Sequence, residues 1–325
     1  MAHEKSVIIS HRRDFDGIAC AAELLRLLDG SVEKILFTNP NSAEILSTIS
    51  CIKGLKDSVI YITDISLSDD SYSSVISALG EIHSKNNQIK WLDHHPWPED
   101  GIKSMKEISD MLICGENKEY CAAELVYANL CRNDDTCKTI ARLAHLTDFN
   151  IRPEDKELDA DLVKISQCIA FLDNTDADSE KLRKSLVENV AMGSLKGKIV
   201  DEIYSQYKKS EAKNIALLET TMGSIRLGKY VLGIAFAENL QSNMACAMIK
   251  KETSANIQVF VTTKDWSAHV RSDDGVDSSL LSKRLGGNGH PQASGFTLKI
   301  SNPKMEEAIK EYTENVFKAA KEIFG

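Results

Sequence analysis

Apolar and polar positions alternate between two periods along the first third of the chain. Ser6–Ser10 is a short β-rich run, and Ile18–Leu28 then carries its apolar side chains at helical spacing. Lys34–Thr38 predicts a second strand and the stretch after Pro40 a helix. Val59–Asp64 (VIYITD) predicts a third strand, followed by a polar-faced helix to about Lys85, and Ile89–Asp93 (IKWLD) a fourth strand. Repeated strand–helix units of this length predict an α/β fold: a doubly wound, mainly parallel sheet with helices on both faces. From about Cys121 to Lys213 the pattern is almost wholly helical.

The pattern then changes. Ser224–Glu238 reads as a hairpin turning at Gly228-Lys229, and Leu240–Lys251 as a helix. Strands follow at Asn256–Thr263 and Ser267–Ser272, then a short helix, a Gly-rich run from Gly286, a strand at Ser294–Ile300 and an amphipathic helix at Met305–Phe324. This half predicts a smaller α/β domain with a mixed sheet. The expected organisation is a larger domain over residues 1–190, a helical linker over 191–219 and the smaller domain over 220–325. A length of 325 residues agrees with two domains of roughly 150 each.

Charge narrows the function. With 39 basic and 48 acidic residues the net charge is −9, which argues against a broad, sequence-blind nucleic-acid coat. A polyanionic substrate stays open, since local basic residues or bound cations can attract it. No run approaches the roughly 18 to 20 apolar residues of a membrane span, and MAHEKSVIIS passes into a strand without a signal-peptide pattern. The expectation is a soluble, cytoplasmic protein with no membrane partner. The eight cysteines include no C-x-x-C pair, so they read as buried, reduced thiols rather than a zinc site.

The chemistry gathers where the first-half strands end. The first strand runs into His11-Arg12-Arg13-Asp14-Phe15-Asp16-Gly17, VIYITD ends on Asp64, and IKWLD runs into Asp93-His94-His95. In open parallel sheets ligands bind beyond the carboxyl ends of the strands, so three strands deliver His and Asp to one rim. A single Asp after a strand is commonly a turn or helix-capping residue; the whole set is not explained that way. Asp and His together suit Mn²⁺ or a similar divalent ion. A bridging carboxylate such as Asp64 would hold two ions at the roughly 3.5–4 Å spacing that activates water and clamps a phosphoryl group. His95, beside His94, is expected off the metal face and against a substrate phosphate.

In that order, His11-x-x-Asp14-x-Asp16-Gly17, Asp64, Asp93-His94-His95 and Asp148 in HLTDF resemble the successive motifs of the DHH phosphoesterase superfamily. The run Gly286-Gly287-Asn288-Gly289-His290, with Val270-Arg271-Ser272 upstream, resembles the signature of the DHH-associated nucleotide-binding domain. The resemblance implies one ion on His11, Asp14 and Asp64, and another on Asp16, Asp64, His94 and Asp148. The ions would be two Mn²⁺, with Mg²⁺ or Co²⁺ as substitutes, and the four aspartates balance their charge. It further implies that His95, Asp64 and Asp93 act at the reacting phosphate. Arg271, Ser272, Gly286, Gly287, Gly289 and His290 would bind the substrate's phosphate and sugar across an interdomain cleft, the glycines letting backbone N–H groups approach an anion. Arg271 would pair with a phosphate or stack on a base. Two departures stand out. Asn288 replaces the third glycine of the loop, and the Asp-x-Asp-Gly form of the first motif is closer to the RecJ-like branch than to bacterial nano-RNases.

The implied activity is metal-dependent hydrolysis of short oligonucleotides, as in a nano-RNase or RecJ-like exonuclease, by attack of a metal-bridging hydroxide on the phosphodiester. Short substrates are expected because nothing in the chain has the length or basic charge of a strand-binding module. The implied partners are therefore short single-stranded RNA or DNA or a cyclic dinucleotide; a homodimer is compatible. The same-class alternative is a cyclic-dinucleotide or phosphoadenosine-phosphate phosphoesterase. The alternative of another class is a non-catalytic replication or repair scaffold of DHH lineage, against which stand six filled ligand positions. Among the remaining residues, His145 reads as a core or supporting histidine three positions before Asp148, and His269 shares a strand face with Arg271. Trp91 is expected in the core, Trp97 and Trp266 partly buried, and His3 and His83 on the surface. Arg12 and Arg13 would either steer a phosphate or pair with acidic side chains.

Overall fold

The structure, a computed structural model, describes residues 5–69, 72–173, 176–302 and 304–325; His3 lies outside them. Its contacts divide the chain into two units, Met1–Tyr207 and Lys208–Gly325.

The first unit runs β1 (Lys5–His11), α1 (Phe15–Leu28), β2 (Val32–Thr38), α2 (Ser42–Ser50), β3 (Ser58–Thr63), α3 (Tyr72–His83), β4 (Gln88–Leu92), α4 (Glu99–Lys106) and β5 (Met111–Ile113). Four helices follow, α5 (Ala122–Leu130), α6 (Asp135–Asp148), α7 (Lys156–Phe171) and α8 (Ala177–Ala191), then the long α9 (Lys198–Thr220), which passes from one unit into the other. The strands form one parallel sheet in the order β2-β1-β3-β4-β5. Every residue of β3 is buried, as a strand covered on both faces requires. One face packs Ile8, Val59, Tyr61 and Leu92 against α1 and the later helices; the other packs Val7, Ile9, Ile60, Ile62 and Trp91 against α2, α3 and α4. The three-residue edge strand β5 was not legible: Met111, Leu112 and Ile113 are all half-buried, and so short an apolar run carries no period.

The second unit begins with the last part of α9 and continues through β6 (Gly223–Leu227), β7 (Tyr230–Ala237), α10 (Ser242–Thr253), β8 (Ile257–Thr262), β9 (Ser267–Ser272), α11 (Ser279–Arg284), β10 (Asn288–His290), β11 (Ala293–Thr297) and α12 (Met305–Phe324). Its sheet has the order β10-β11-β9-β8-β7-β6 and is mixed: β7 and β8 are parallel, the other neighbours antiparallel. The hairpin turns at Gly228, whose φ of +56° explains the glycine. The Gly-rich run itself forms the edge strand β10, which no β-pattern announced.

All eight cysteines are free, six of them buried. Among the described residues, no helix is long and apolar enough to cross a membrane.

Candidate metal centre

In the strand order, β2 and β3 lie on opposite sides of β1, so the carboxyl ends of β1 and β3 meet at a switch point. His11 is the last residue of β1, Asp14 caps α1 by accepting the Gly17 N–H, and Asp16 sits in the first turn. Gly17 is required there: a Cβ would lie 2.2 Å from the His11 carbonyl oxygen. Asp64 follows β3 with φ +57°, a left-handed conformation that Asp tolerates better than most residues, and His94 follows β4. Asp148 arrives from the last residue of α6.

These six side chains converge in two groups that share Asp64. His11 Nδ1 lies 2.9 Å from Asp14 Oδ2 and 3.4 Å from Asp64 Oδ2. His94 Nε2 lies 3.8 Å from Asp16 Oδ2, 3.7 Å from Asp64 Oδ1 and 3.8 Å from Asp148 Oδ2. The His94 distances are too long for hydrogen bonds. His11 Nδ1, His94 Nε2 and Asp64 Oδ2 are buried without a hydrogen-bond partner, a condition that costs about 1–3 kcal/mol per group unless something else satisfies it. Nitrogen and carboxylate donors around such a gap fit a divalent cation of the Mg²⁺ or Mn²⁺ kind, and His95 joins Asp64 and His94 in a third possible grouping beside His11–Asp14–Asp64 and Asp16–His94–Asp148.

The acid–base state carries the same message. Burial pushes Asp16 up to about 7 against the pull of its backbone hydrogen bonds, and lifts Asp64 well above the carboxylate range with neighbouring carboxylates adding to the effect. Asp148 is raised as well, chiefly by burial. In Asp14, burial is outweighed by the adjacent His11 ring and by the Gly17 N–H, so its pKa is lowered. Without cations, the cluster relieves part of its negative charge by protonation.

Helix α5 braces the second group. Asp16 Oδ2 accepts the Ala122 N–H at 2.8 Å and Oδ1 the Ala123 N–H at 2.9 Å, so a carboxylate meets the positive end of a helix. The Cys121 N–H donates to Glu124 Oε2 at 3.0 Å, and the same oxygen lies 2.8 Å from His145 Nδ1. His145 is thus a supporting residue, packed against Phe149 at 4.7 Å. The sequence signal for Glu124, a glutamate at the third position of a helix, was hidden because the capping residue is Cys121 rather than Ser or Thr.

Asp93 differs from the expectation. Its buried carboxylate does not face the cluster: Oδ1 lies 2.8 Å from His95 Nδ1, and Oδ2 accepts Trp97 Nε1–H at 2.7 Å. A carboxylate so enclosed needs donors, and it finds them in His95 and Trp97. The bond to Asp93 raises the His95 pKa. His95 is also closer to the cluster than anticipated, its Nδ1 3.8 Å from Asp64 Oδ1 and its ring 4.2 Å from that of His94. With Nδ1 engaged, Nε2 is the nitrogen left for a ligand.

The Gly-rich run also departs from expectation. The Gly286 N–H donates to Lys283 O, that of Gly287 to Ser282 O, and that of Gly289 to Asn288 Oδ1, so none of the three is presented to an anion. Gly287 and Gly289 answer to strand packing: a Cβ would lie 2.0 Å from Gly295 O at the first and 2.4 Å from Ser294 Cα at the second. Asn288 folds its side chain onto its own neighbour. His290 is exposed. Arg271 donates to Asn243 Oδ1 and Val270 O, and Ser272 Oγ to Val276 O and Pro291 O. His269 stacks on Phe260, and burial lowers its pKa. Trp91 and Trp97 are buried in edge-to-face contact, and Trp266 packs on Tyr312 and Phe236. His83 is half-buried on Asn87 O. Arg12 and Arg13 both bond Asp173, a partner some 160 residues away that the sequence did not reveal.

The sequence matches no family model and no curated protein. Solved structures are similar to it. A structure of exonuclease RecJ bound to manganese superposes with a TM-score of 0.51 at 14% identity, over 98% of this chain and 90% of that one. CDC45 from Entamoeba histolytica gives 0.50 at 8% identity, over 98% and 95%. An exopolyphosphatase-related protein from Bacteroides fragilis gives 0.43 at 15%, over 99% and 94%. This chain shares the fold of that RecJ structure and of CDC45.

Proposed function

We propose that this chain, with its DHH-superfamily fold, is a metal-dependent phosphodiesterase that hydrolyses short oligonucleotides from a free end. The observation that carries the reading is Asp64, which turns one oxygen toward His11 and the other toward His94, amid buried donors that lack partners. His11, Asp14 and Asp64 would hold one cation, and Asp16, Asp64, His94 and Asp148 the other. Mn²⁺, Mg²⁺ or Co²⁺ bound there supplies the charge that acidifies a water and clamps a phosphoryl group. His95, fixed through Nδ1 by Asp93 and with its protonated form favoured by that bond, donates from Nε2 to a phosphate oxygen. Asp93 is a positioning residue in this scheme. Arg271 and His290 would contact the phosphate and sugar of the terminal nucleotide, Ser272 and the Gly286, Gly287 and Gly289 backbone shaping that surface. A net charge of −9 fits a substrate drawn by bound cations rather than a long strand held on a basic track.

Hydrolysis assays with Mn²⁺ test the reading, using RNA and DNA from dinucleotides to long oligomers, linear and cyclic dinucleotides, phosphoadenosine phosphate and pyrophosphate. Cleavage confined to the short strands, and abolished by Asp64→Ala and by His94→Ala, is the expected result. Preferred turnover of a cyclic dinucleotide or phosphoadenosine phosphate would reassign the substrate. A folded, metal-loaded protein that turns over nothing would replace the enzyme by a scaffold, a role compatible with the fold it shares with CDC45.

A further inference from the structure

Two of the buried cysteines are neighbours. Cys131 follows the last residue of α5, and Cys137 lies in the first turn of α6. The backbone fixes the turn between them: the Asp134 N–H donates to Cys131 O at 3.0 Å, and Asp134 Oδ1 accepts the N–H groups of Thr136 and Cys137 at 2.8 and 3.0 Å. This turn brings the two thiols within hydrogen-bonding reach of each other. Arg26 of α1 is locked beside Cys137, with Nε and Nη2 on Asp134 Oδ2 and Nη1 on Ala191 O. The pair also has a way in. A cavity of about 650 Å³ opens at the end of α5, and Cys131 is part of its wall. Cys131 is 5% exposed, whereas Cys137, outside that wall, is wholly buried. The other buried thiols, Cys20, Cys121, Cys168 and Cys246, have their pKa values raised by burial. In Cys137 the hydrogen bond from Cys131, aided by Arg26, outweighs burial and the charge of Asp134, so its pKa is lowered. The same bond, with burial, raises Cys131. The pair thus keeps a proton on Cys131 and favours the thiolate, the reactive form of cysteine, on Cys137.

We infer that Cys131 and Cys137 are a site of reversible oxidation by a hydroperoxide, closing to a disulfide that weakens the ion position served by Asp16 and Asp148. Peroxide enters at Cys131. The Cys137 thiolate takes the Cys131 proton as Cys131 Sγ attacks one peroxide oxygen. An S–O bond forms, the O–O bond breaks, and the departing hydroxide becomes water with that proton. The regenerated Cys137 thiolate then attacks Cys131 Sγ: the S–S bond forms, the S–O bond breaks, and the second hydroxide takes a proton from solvent. Each sulfur loses one electron, the peroxide oxygens gain the pair, and the products are a disulfide and two waters. An S–S bond is about 2.05 Å long, so closing it draws the end of α5 and the start of α6 together in a close-packed core. Those helices serve the metal centre at their opposite ends: α5 presents the Ala122 and Ala123 N–H groups to Asp16, and α6 ends on Asp148. The inference rests on the metal centre and not on the choice of substrate.

The test treats the full chain, free of metal, with hydrogen peroxide and maps its disulfides by mass spectrometry without reduction. The expected product is a Cys131–Cys137 link that dithiothreitol reverses. Titration should find Mn²⁺ affinity about tenfold weaker in the oxidised protein, a change within the usual range for coupled sites. Cys137→Ser should leave Cys131 as a sulfenic acid that dimedone traps, formed more slowly for want of the thiolate. Cys131→Ser should remove both the link and the effect of peroxide on Mn²⁺ affinity. The wild-type map decides the site even where a variant fails to fold. Peroxide that leaves both thiols free, or joins either to another cysteine, would overturn it. A Cys131–Cys137 link with unchanged Mn²⁺ affinity would overturn its coupling to the metals. Mapping and titration need no turnover, so failure of the phosphodiesterase reading leaves both results standing.

Discussion

At the carboxyl edge of the first sheet, His11 Nδ1, His94 Nε2 and Asp64 Oδ2 are buried without partners. In the Gly-rich run of the second unit, the N–H groups of Gly286, Gly287 and Gly289 are all bonded within that unit. Both regions were singled out by their motifs, and only one is incomplete as folded. Buried nitrogen and carboxylate donors that converge with nothing to bond are what a cation would satisfy. A glycine, by contrast, can be demanded by backbone packing alone, as the close approach of Gly287 to Gly295 shows.

Substitutions can break this contrast. Asp64→Ala should lower kcat/KM at least about a thousandfold, on the order of 4 kcal/mol of transition-state stabilisation, yet should not lower the melting temperature of metal-free protein. A marked loss of metal-free stability would mean that Asp64 is satisfied by the fold after all. Gly287→Ala should do the reverse, costing the second unit about 2–3 kcal/mol through overpacking while leaving Mn²⁺ affinity intact, with denaturant unfolding and metal titration as the two readouts. Lost ligand affinity with unchanged stability would return that glycine to the binding surface. His145→Ala sharpens the first region: its path to the ion runs through Glu124 and the start of α5 to Asp16, so Mn²⁺ affinity should fall about 10- to 100-fold, measured by titration at constant fold.

The smallest effect is expected at Glu23, a fully buried residue of α1 whose carboxyl oxygens also lack partners. Among the described residues it belongs to no cluster able to hold a metal. Burial raises its pKa well above 4.5, with Cys137 and Asp16 adding to the shift. A carboxyl whose folded pKa is raised costs stability as pH climbs past its unfolded value. Glu23→Gln should therefore leave the melting temperature nearly unchanged at pH 4 and raise it at pH 8, by about 3 °C for about 1 kcal/mol. No gain at pH 8 would show that this orphan too has a partner.

Much of this was legible in order. VIYITD and IKWLD announced central strands because both faces of such strands are covered, and the residues following them were then committed to the sheet's carboxyl edge. Local pattern could not show β5 and β10, which are three residues long and stand at sheet edges. Nor could it show Asp93 turning to Trp97 or Asp173 bracing two arginines, since those pairings are decided by which buried donors meet after folding. The Gly-rich run was read for binding because glycine's freedom serves both purposes, and sequence does not tell an amide offered to a ligand from one used at a helix end.

The residues that hold Asp16 lie 106 and 107 positions further along the chain. During synthesis, His11, Asp14 and Asp64 are all present once β3 has emerged, whereas the second set waits for His94, for the start of α5 and finally for Asp148. Because domains emerge amino end first, the two halves of the centre become available at different times. The shared aspartate belongs to the earlier half, so the later one is assembled onto a carboxylate already in place.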